Sequence, residues 1–184
     1  MYPDNEEKLK FGREVMQRKA RDHARTPVQW SAGPNAGFCK EGVEPWMRVN
    51  DDYKTVNAEA QRKADPEKNM SVLQFWKRGL AQRKEHKNVF VYGDFKLLDE
   101  HHTKIFAYKR TSDDGEAFAV VLNFSGDDVE WDISADAKVK HWAAGNYAGG
   151  KPDKPTSGKV TLRPWEGLLG MCTWDDYRGR YQGC

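Results

Sequence analysis

The stretch Ser71–Leu98, SVLQFWKRGLAQRKEHKNVFVYGDFKLL, is where the chain changes period. Over residues 71–87, Leu73, Trp76 and Leu80 recur at i, i+3 and i+7, and Val72 and Phe75 widen the stripe, which predicts an amphipathic helix. Ser71 followed three residues later by Gln74 is a capping-box pattern. Arg83, Lys84, His86 and Lys87 place cations where the helix C-terminus favours them. After Asn88 the apolar positions recur mostly every second residue, so VFVYGDFKLLDE predicts a strand.

The same alternation continues toward the C-terminus through KIFAYKR, EAFAVVLNFS and VEWDI. Phe118, Val120, Leu122 and Phe124 form one face of a strand, and Val129, Trp131 and Ile133 form one face of the next. Ser112–Gly115, SDDG, is a hairpin turn. GNYAGGKPDKPTSGK reads as a long turn region, and KVTLRPWEGLLGM as one or two final strands. Several short strands separated by turn signals predict an antiparallel sandwich over about residues 89–171.

Toward the N-terminus the pattern is weaker. Residues 5–24 predict a peripheral helix whose stripe is only Leu9, Val15 and Met16. From Thr26 to about Asn69, repeated Pro and Gly break any period. Trp30, Phe38, Trp46 and Tyr53 make this a packed loop of the kind that carries function.

Composition narrows the function classes. Charged residues are 32% of the chain and hydrophobic ones 38%, with a formal net charge of +2 and no basic stripe, so nucleic acid is not an expected partner. No apolar run is long enough to cross a membrane. The segment MYPDNEEKLK has no apolar core of a secretory signal. Cys39, Cys172 and Cys184 are odd in number and lack C-x-x-C spacing, which favours a cytoplasmic protein without a disulfide framework. No phosphate loop, nucleophile elbow or zinc signature is present, so no cofactor is expected.

Four clusters remain. His101–His102 could suggest metal, but adjacent side chains in a turn diverge and no further ligand is suitably spaced. Asn50–Tyr53, NDDY, offers oxygens but reads as a turn or cap. Pro164–Gly170, PWEGLLG, reads as a Trp packed on the sandwich. Arg21–Asp22–His23 with Arg25 lie in Ala20–Trp30, ARDHARTPVQW, where no helix stripe or strand alternation explains them. On their own they read as a structural ion-pair network.

The order ARDHARTPVQW, PNAGF, PWMRVNDDY, SVLQFWKRGLAQRKEHKNVFVYGDF, VVLNFS and RPWEG resembles the α-glucosidases of glycoside hydrolase family 13. It is most similar to fungal intracellular maltases and isomaltases, then to bacterial oligo-1,6-glucosidases. The likeness runs from about Gln17 to about Gly170. It departs at Val28, where the family more often has Met, and the tail Met171–Cys184 has no counterpart in the family pattern.

The resemblance implies an α+β fragment: the loop and last helix of a (β/α)8 barrel, then an antiparallel Greek-key β-sandwich. Residues 1–88 would be the barrel remnant, 89–171 the sandwich and 172–184 a tail. A barrel needs about 250 residues, so its eight strands are expected ahead of this segment. The family nucleophile, acid/base and transition-state-stabilising carboxylates map onto no residue here. Arg21 is implied to be the arginine lining the pocket for the non-reducing-end glucose, with Asp22, His23 and Arg25 holding the loop. The reading is thus part of a retaining α-glucosidase acting on maltose- or isomaltose-type sugars, this chain alone being inactive. The alternative is a non-catalytic sandwich that binds sugar or a protein, with Trp131, Trp142 and Trp165 as an aromatic platform.

Overall fold

A computed structural model of the chain describes residues 5–65, 68, 70–133, 137–147 and 158–173. Residues 148–157 of the expected turn region and 174–184 of the expected tail lie outside the described residues. The chain divides into two compact units, Met1–Lys63 and Ala64–Cys184.

In the first unit, α1 spans Glu6–Lys19. Asn5 caps it by accepting the Lys8 N–H at 3.1 Å, Glu6 and Glu7 lie in its first turn, and Arg18 and Lys19 in its last. The helix is five residues shorter at its C-terminus than the sequence predicts. Ala20 is extended, and Arg21–Ala24 is a separate 3₁₀ turn. The reason is visible in the pattern: after Met16 no large apolar residue remains to bind the helix to anything. None of its residues is buried.

The irregular loop also contains a helix the sequence reading passed over, α2, Ala58–Lys63. Its signal was present. Asn57 accepts the Ala60 N–H at 2.8 Å in the manner of an N-cap, and Glu59 pairs with Lys63 one turn on.

The second unit begins its regular structure with α3, Val72–Glu85, capped by Ser71 accepting the Gln74 N–H at 3.3 Å. The reciprocal half of the capping box does not form. The Gln74 amide donates instead to the Ala64 carbonyl, and its Oε1 is buried without a partner among the described residues. The expected strand does not start at Val89. Lys87–Phe90 is a further helical turn, α4, and β1 is Asp94–Leu98. Tertiary burial overrides the alternation here. Val89 is fully buried, Phe90 packs on Phe118 with ring centroids 5.0 Å apart, and His86 packs on Phe118 at 4.7 Å. His86 Nδ1 and Glu116 Oε1 are 2.7 Å apart, which ties the helix end to the β-hairpin.

The strands follow as β2 (Ile105–Thr111), β3 (Ala117–Asn123), β4 (Val129–Asp132), β5 (Val139–Gly145), β6 (Lys159–Leu162) and β7 (Gly167–Cys172). All pairs are antiparallel. One sheet has the order β1-β2-β3-β7-β5 and the other pairs β4 with β6, so β7 is inserted between β3 and β5, a Greek-key arrangement. SDDG is the β2–β3 turn, with Gly115 at φ 91° and its N–H donating to the Ser112 carbonyl at 2.9 Å. Strand β7 runs through Cys172, which is buried, so the sandwich extends one residue past the expected boundary.

Register decides which face of β3 is the sandwich core. Ala117, Ala119 and Val121 face the cluster that holds Trp131, Trp142, Val160, Leu162 and Leu168. Phe118, Val120, Leu122 and Phe124 do share a face, but it is the opposite one, turned toward α3 and α4. Trp131 is buried with Val129 and Ile133 packed against its cluster, as the alternation predicts.

Across α3, Val72, Trp76 and Leu80 remain exposed. Among the described residues no helix is long and apolar enough to cross a membrane.

Two glycines give opposite expectations. A Cβ at Gly93 would lie 2.7 Å from both the Thr111 and Val89 carbonyl oxygens, whereas one at Gly79 in α3 meets nothing within 4 Å. In urea unfolding, Gly93→Ala is expected to lose about 1–3 kcal/mol by steric overlap. Gly79→Ala should gain about 0.5–1 kcal/mol from helix propensity. A neutral Gly93→Ala would mean that the β1 entry is looser than this geometry.

Candidate functional site

The stretch ARDHARTPVQW is positioned from both sides by polar side chains. Pro27 is buried. Gln29 sits at the centre: its Nε2 donates to Asp52 Oδ1 at 3.0 Å and to the Val56 carbonyl at 2.6 Å. Its Oε1 accepts from Asn50 Nδ2 at 3.2 Å, and its own carbonyl accepts the Ala58 N–H at 2.9 Å. One glutamine thereby joins PVQW to NDDY and to the start of α2. NDDY is indeed a turn, the 3₁₀ segment Asp51–Lys54. Asp51 pairs with Arg48, whose guanidinium is held above its ordinary pKa by that hydrogen bond and by the carboxylate charge.

The PNAG turn holds the other side. Asn35, Ala36 and Gly37 are consecutive left-handed residues with φ of 51°, 55° and 69°. Such backbone costs about 1–2 kcal/mol for each residue with a Cβ and persists only where surroundings fix it. Here the Ala36 carbonyl accepts from Trp30 N at 2.8 Å and from Ser31 N at 3.0 Å. Asn35 Nδ2 donates to the carbonyls of Lys40 at 3.0 Å and Val43 at 2.7 Å. A side chain at Gly37 would be strained, because φ there is 69° and its Cβ would stand 2.7 Å from Ser31 Oγ, which would have to turn away. The indoles of Trp30 and Trp46 are left exposed.

Within this frame Arg21 opens the 3₁₀ turn and is exposed, and among the described residues its guanidinium pairs with no carboxylate. Asp22 is paired with Arg25, both more than half exposed. A pair so exposed contributes about 0–1 kcal/mol. The structure therefore separates the opening cluster: Arg25 and Asp22 bond each other, while Arg21 is left available. Among the described residues it brings no catalytic pair of carboxylates to Arg21.

In the second unit, a cavity of about 550 Å³ lies between α3 and the outer face of the larger sheet. Phe75, Phe90, Leu122, Phe124, Trp165 and Leu169 line it, so it suits apolar packing rather than proton transfer. Glu166, 2% exposed, accepts from Arg163 N at 2.8 Å and from Arg163 Nε at 3.1 Å, and this bonding raises the Arg163 pKa. The PWEG turn differs from its expectation: Trp165 is not on the core but 61% exposed, at φ 56°. Trp131, as its strand alternation predicts, and Trp142 are 2% and 1% exposed, so the three-Trp platform of the alternative reading does not form.

His102 Nδ1 accepts from Ile105 N at 2.9 Å, while His101 is in solvent, so the two rings serve the turn separately. Among the described residues no group of three His, Cys, Asp or Glu could hold a metal ion. Gln29 and the His86–Glu116 pair were missed by sequence reasoning, since they bond partners that only the fold brings near, whereas Asn35 and Asn57, missed as well, bond groups three to eight residues away.

Gln29→Ala should remove three side-chain bonds of about 1 kcal/mol each, and raise cleavage by a nonspecific protease within residues 48–58 by about tenfold or more. Gln29→Glu should be worse, because a carboxylate would face Asp52 where an N–H now donates. Unchanged cleavage in both variants would show that the loop is held by something else.

Comparison with known proteins places these features. "Alpha amylase, catalytic domain" matches residues 3–93, and "Maltogenic Amylase, C-terminal domain" matches residues 95–168. An α-glucosidase of Candida albicans is 45% identical over 168 residues, 91% of this chain and 26% of the relative. An oligo-1,6-glucosidase of Saccharomyces cerevisiae is 39% identical over 171 residues, 91% of this chain and 28% of the relative. The chain thus spans about a quarter of the length of these relatives. Among solved structures, the trehalulose synthase MutB from Pseudomonas mesoacidophila MX-45 superimposes with a TM-score of 0.73 at 26% identity, covering 86% of this chain and 28% of that one. From the RDHARTPVQW loop through the Greek-key sandwich, the chain belongs to glycoside hydrolase family 13.

Proposed function

We propose that the chain is the C-terminal part of an α-glucosidase that releases terminal α-linked glucose from maltose- or isomaltose-type oligosaccharides with retention of configuration. The observation that carries this reading is the similarity, at 39–45% identity over 91% of the chain, to enzymes named α-glucosidase and oligo-1,6-glucosidase. Residues 1–88 are read as the end of the catalytic barrel, 89–171 as the accompanying sandwich and 172–184 as a tail. The compartment is the cytosol. The substrate is held by the part of the enzyme that the relatives carry ahead of this segment.

Retention needs a nucleophile and an acid/base about 5 Å apart. Among the described residues no such pair is formed near Arg21, and this chain alone is proposed to be inactive. Arg21 is one wall of the glucose pocket. A guanidinium offers a rigid fork of donors, suited to two sugar hydroxyls or to a hydroxyl and a carboxylate together. Its exposure and lack of a carboxylate partner among the described residues support that role, since Arg25 already satisfies Asp22.

Two measurements test the proposal. The isolated chain should release no p-nitrophenol from the α-glucoside above a mock preparation. In a longer α-glucosidase carrying this segment, Arg21→Ala should lower kcat/KM by about tenfold to a hundredfold, because hydrogen bonds to a charged group contribute about 1.5–3 kcal/mol. Arg21→Lys should recover little of it. Arg25→Ala should leave kcat/KM within a few-fold and act, if at all, on the melting temperature. Near-parental kcat/KM for Arg21→Ala would remove Arg21 from the pocket.

A further inference from the structure

The sequence carries the N-glycosylation acceptor pattern Asn-x-Ser/Thr twice, at Asn69–Met70–Ser71 and at Asn123–Phe124–Ser125. Such patterns are ordinarily surface features, because the carbohydrate is bulky and hydrated. Asn123 is the reverse: it is 3% exposed, at the end of β3. Its Nδ2 donates to the Asp127 carbonyl at 2.8 Å and to the Arg163 carbonyl at 2.9 Å, so both amide hydrogens are used. Its Oδ1 accepts from Ser125 N at 3.0 Å and from Ser125 Oγ at 2.8 Å.

These bonds join the two sheets. Asn123 belongs to β3 of the larger sheet, Arg163 directly follows β6 of the smaller one, and Asp127 lies just before β4. The backbone locks the same corner, with Asn123 N donating to the Glu166 carbonyl at 2.8 Å.

N-glycosylation would act on this amide. Nδ2 forms a bond to the anomeric carbon of an oligosaccharide carried on a polyisoprenyl pyrophosphate. The bond from that carbon to the pyrophosphate oxygen breaks, the lipid pyrophosphate leaves with the electron pair, and one amide proton passes to a base of the transferase. The product keeps one N–H where the corner needs two, and a sugar would stand where the Asp127 or Arg163 carbonyl now sits.

We propose that Asn123 is a glycan acceptor only before the sandwich closes, so that glycosylation and folding exclude each other, and that the fold is built for a compartment without N-glycosylation. The inference stands on the sandwich and on the cytosolic part of the reading above. It is independent of Arg21 and of the α-glucosidase activity, so its failure leaves those untouched.

The test directs the full chain into microsomes with a cleavable signal sequence, on an Asn69→Gln background so that a single acceptor remains. It compares three samples: the chain itself, the chain made with a competing acceptor tripeptide, and Ser125→Ala. The last loses the acceptor pattern but keeps the bond from the residue-125 N–H to Asn123 Oδ1. The first sample should carry one endoglycosidase-sensitive glycan and be digested by trypsin about tenfold faster or more, as expected when digestion follows the population of open chains. The other two should be unglycosylated and resistant. A glycosylated chain as resistant as the unglycosylated ones overturns the proposal. So does a first sample that receives no glycan, because the open chain would then not be an acceptor.

Discussion

The interaction on which the rest of the structure depends is the meeting of two tryptophans with a face of alanines. Trp131 enters from the two-stranded sheet and Trp142 from the edge strand of the five-stranded one. Ala107, Ala117 and Ala119 share their cluster and leave the volume those rings fill. The smaller sheet has only four residues per strand, so ladder bonds alone would not hold it in place. Burial of Trp131, Val160 and Leu162 binds it to the larger sheet, and the Asn123 corner fixes its end. The tightness has visible consequences. A Cβ on Gly170 would stand 2.6 Å from Val139 and 3.0 Å from the Trp142 ring. The Trp142 indole N–H is buried with no partner among the described residues.

Seen from that core, the outer face of β3 is a second packing surface with a different fate. Phe118 is covered by His86 and Phe90, which is why the chain takes one more helical turn before β1. Phe124 and Trp165, further along, stay open, as do Val72, Trp76 and Leu80 of α3. Each large apolar side chain left in water forgoes about 1.5–3 kcal/mol of burial. That contrast between a closed inner face and an open outer one fits a segment that, in relatives about four times longer, has more chain to meet.

Legibility followed the range of the interactions. The α3 stripe, the SDDG turn and the Trp131 face could be read because period and turn chemistry are local. The choice between the two faces of β3 could not: AFAVVLN is apolar on both, and only the tryptophans contributed by other strands settle which face takes alanine. VFVY misled because alternation was read without the Phe118 surface that captures Phe90. The missed α2 was a local signal, Asn57 followed by good helix formers, masked by the Pro and Gly around it. In the candidate site, Arg21 was named from family pattern rather than from physics. Gln29, which shapes its loop, gave no local sign, since it reaches Asp52 across 23 residues. The fold itself is shared with a protein named as a trehalulose synthase, so activity has to be argued from site residues and not from architecture.

The central proposal is that the sandwich folds as a unit of its own, while the first unit, with the loop bearing Arg21, is held less tightly. Native-state hydrogen exchange on the 184-residue chain tests this most directly. The account predicts the slowest amides in β2, β3 and β7, all exchanging with one common free energy equal to that of global unfolding. Amides of α1 and of the Arg21–Ala24 turn should exchange through openings of much smaller free energy. A single shared protection across both units would contradict it, and would show that the first 63 residues fold as one body with the sandwich.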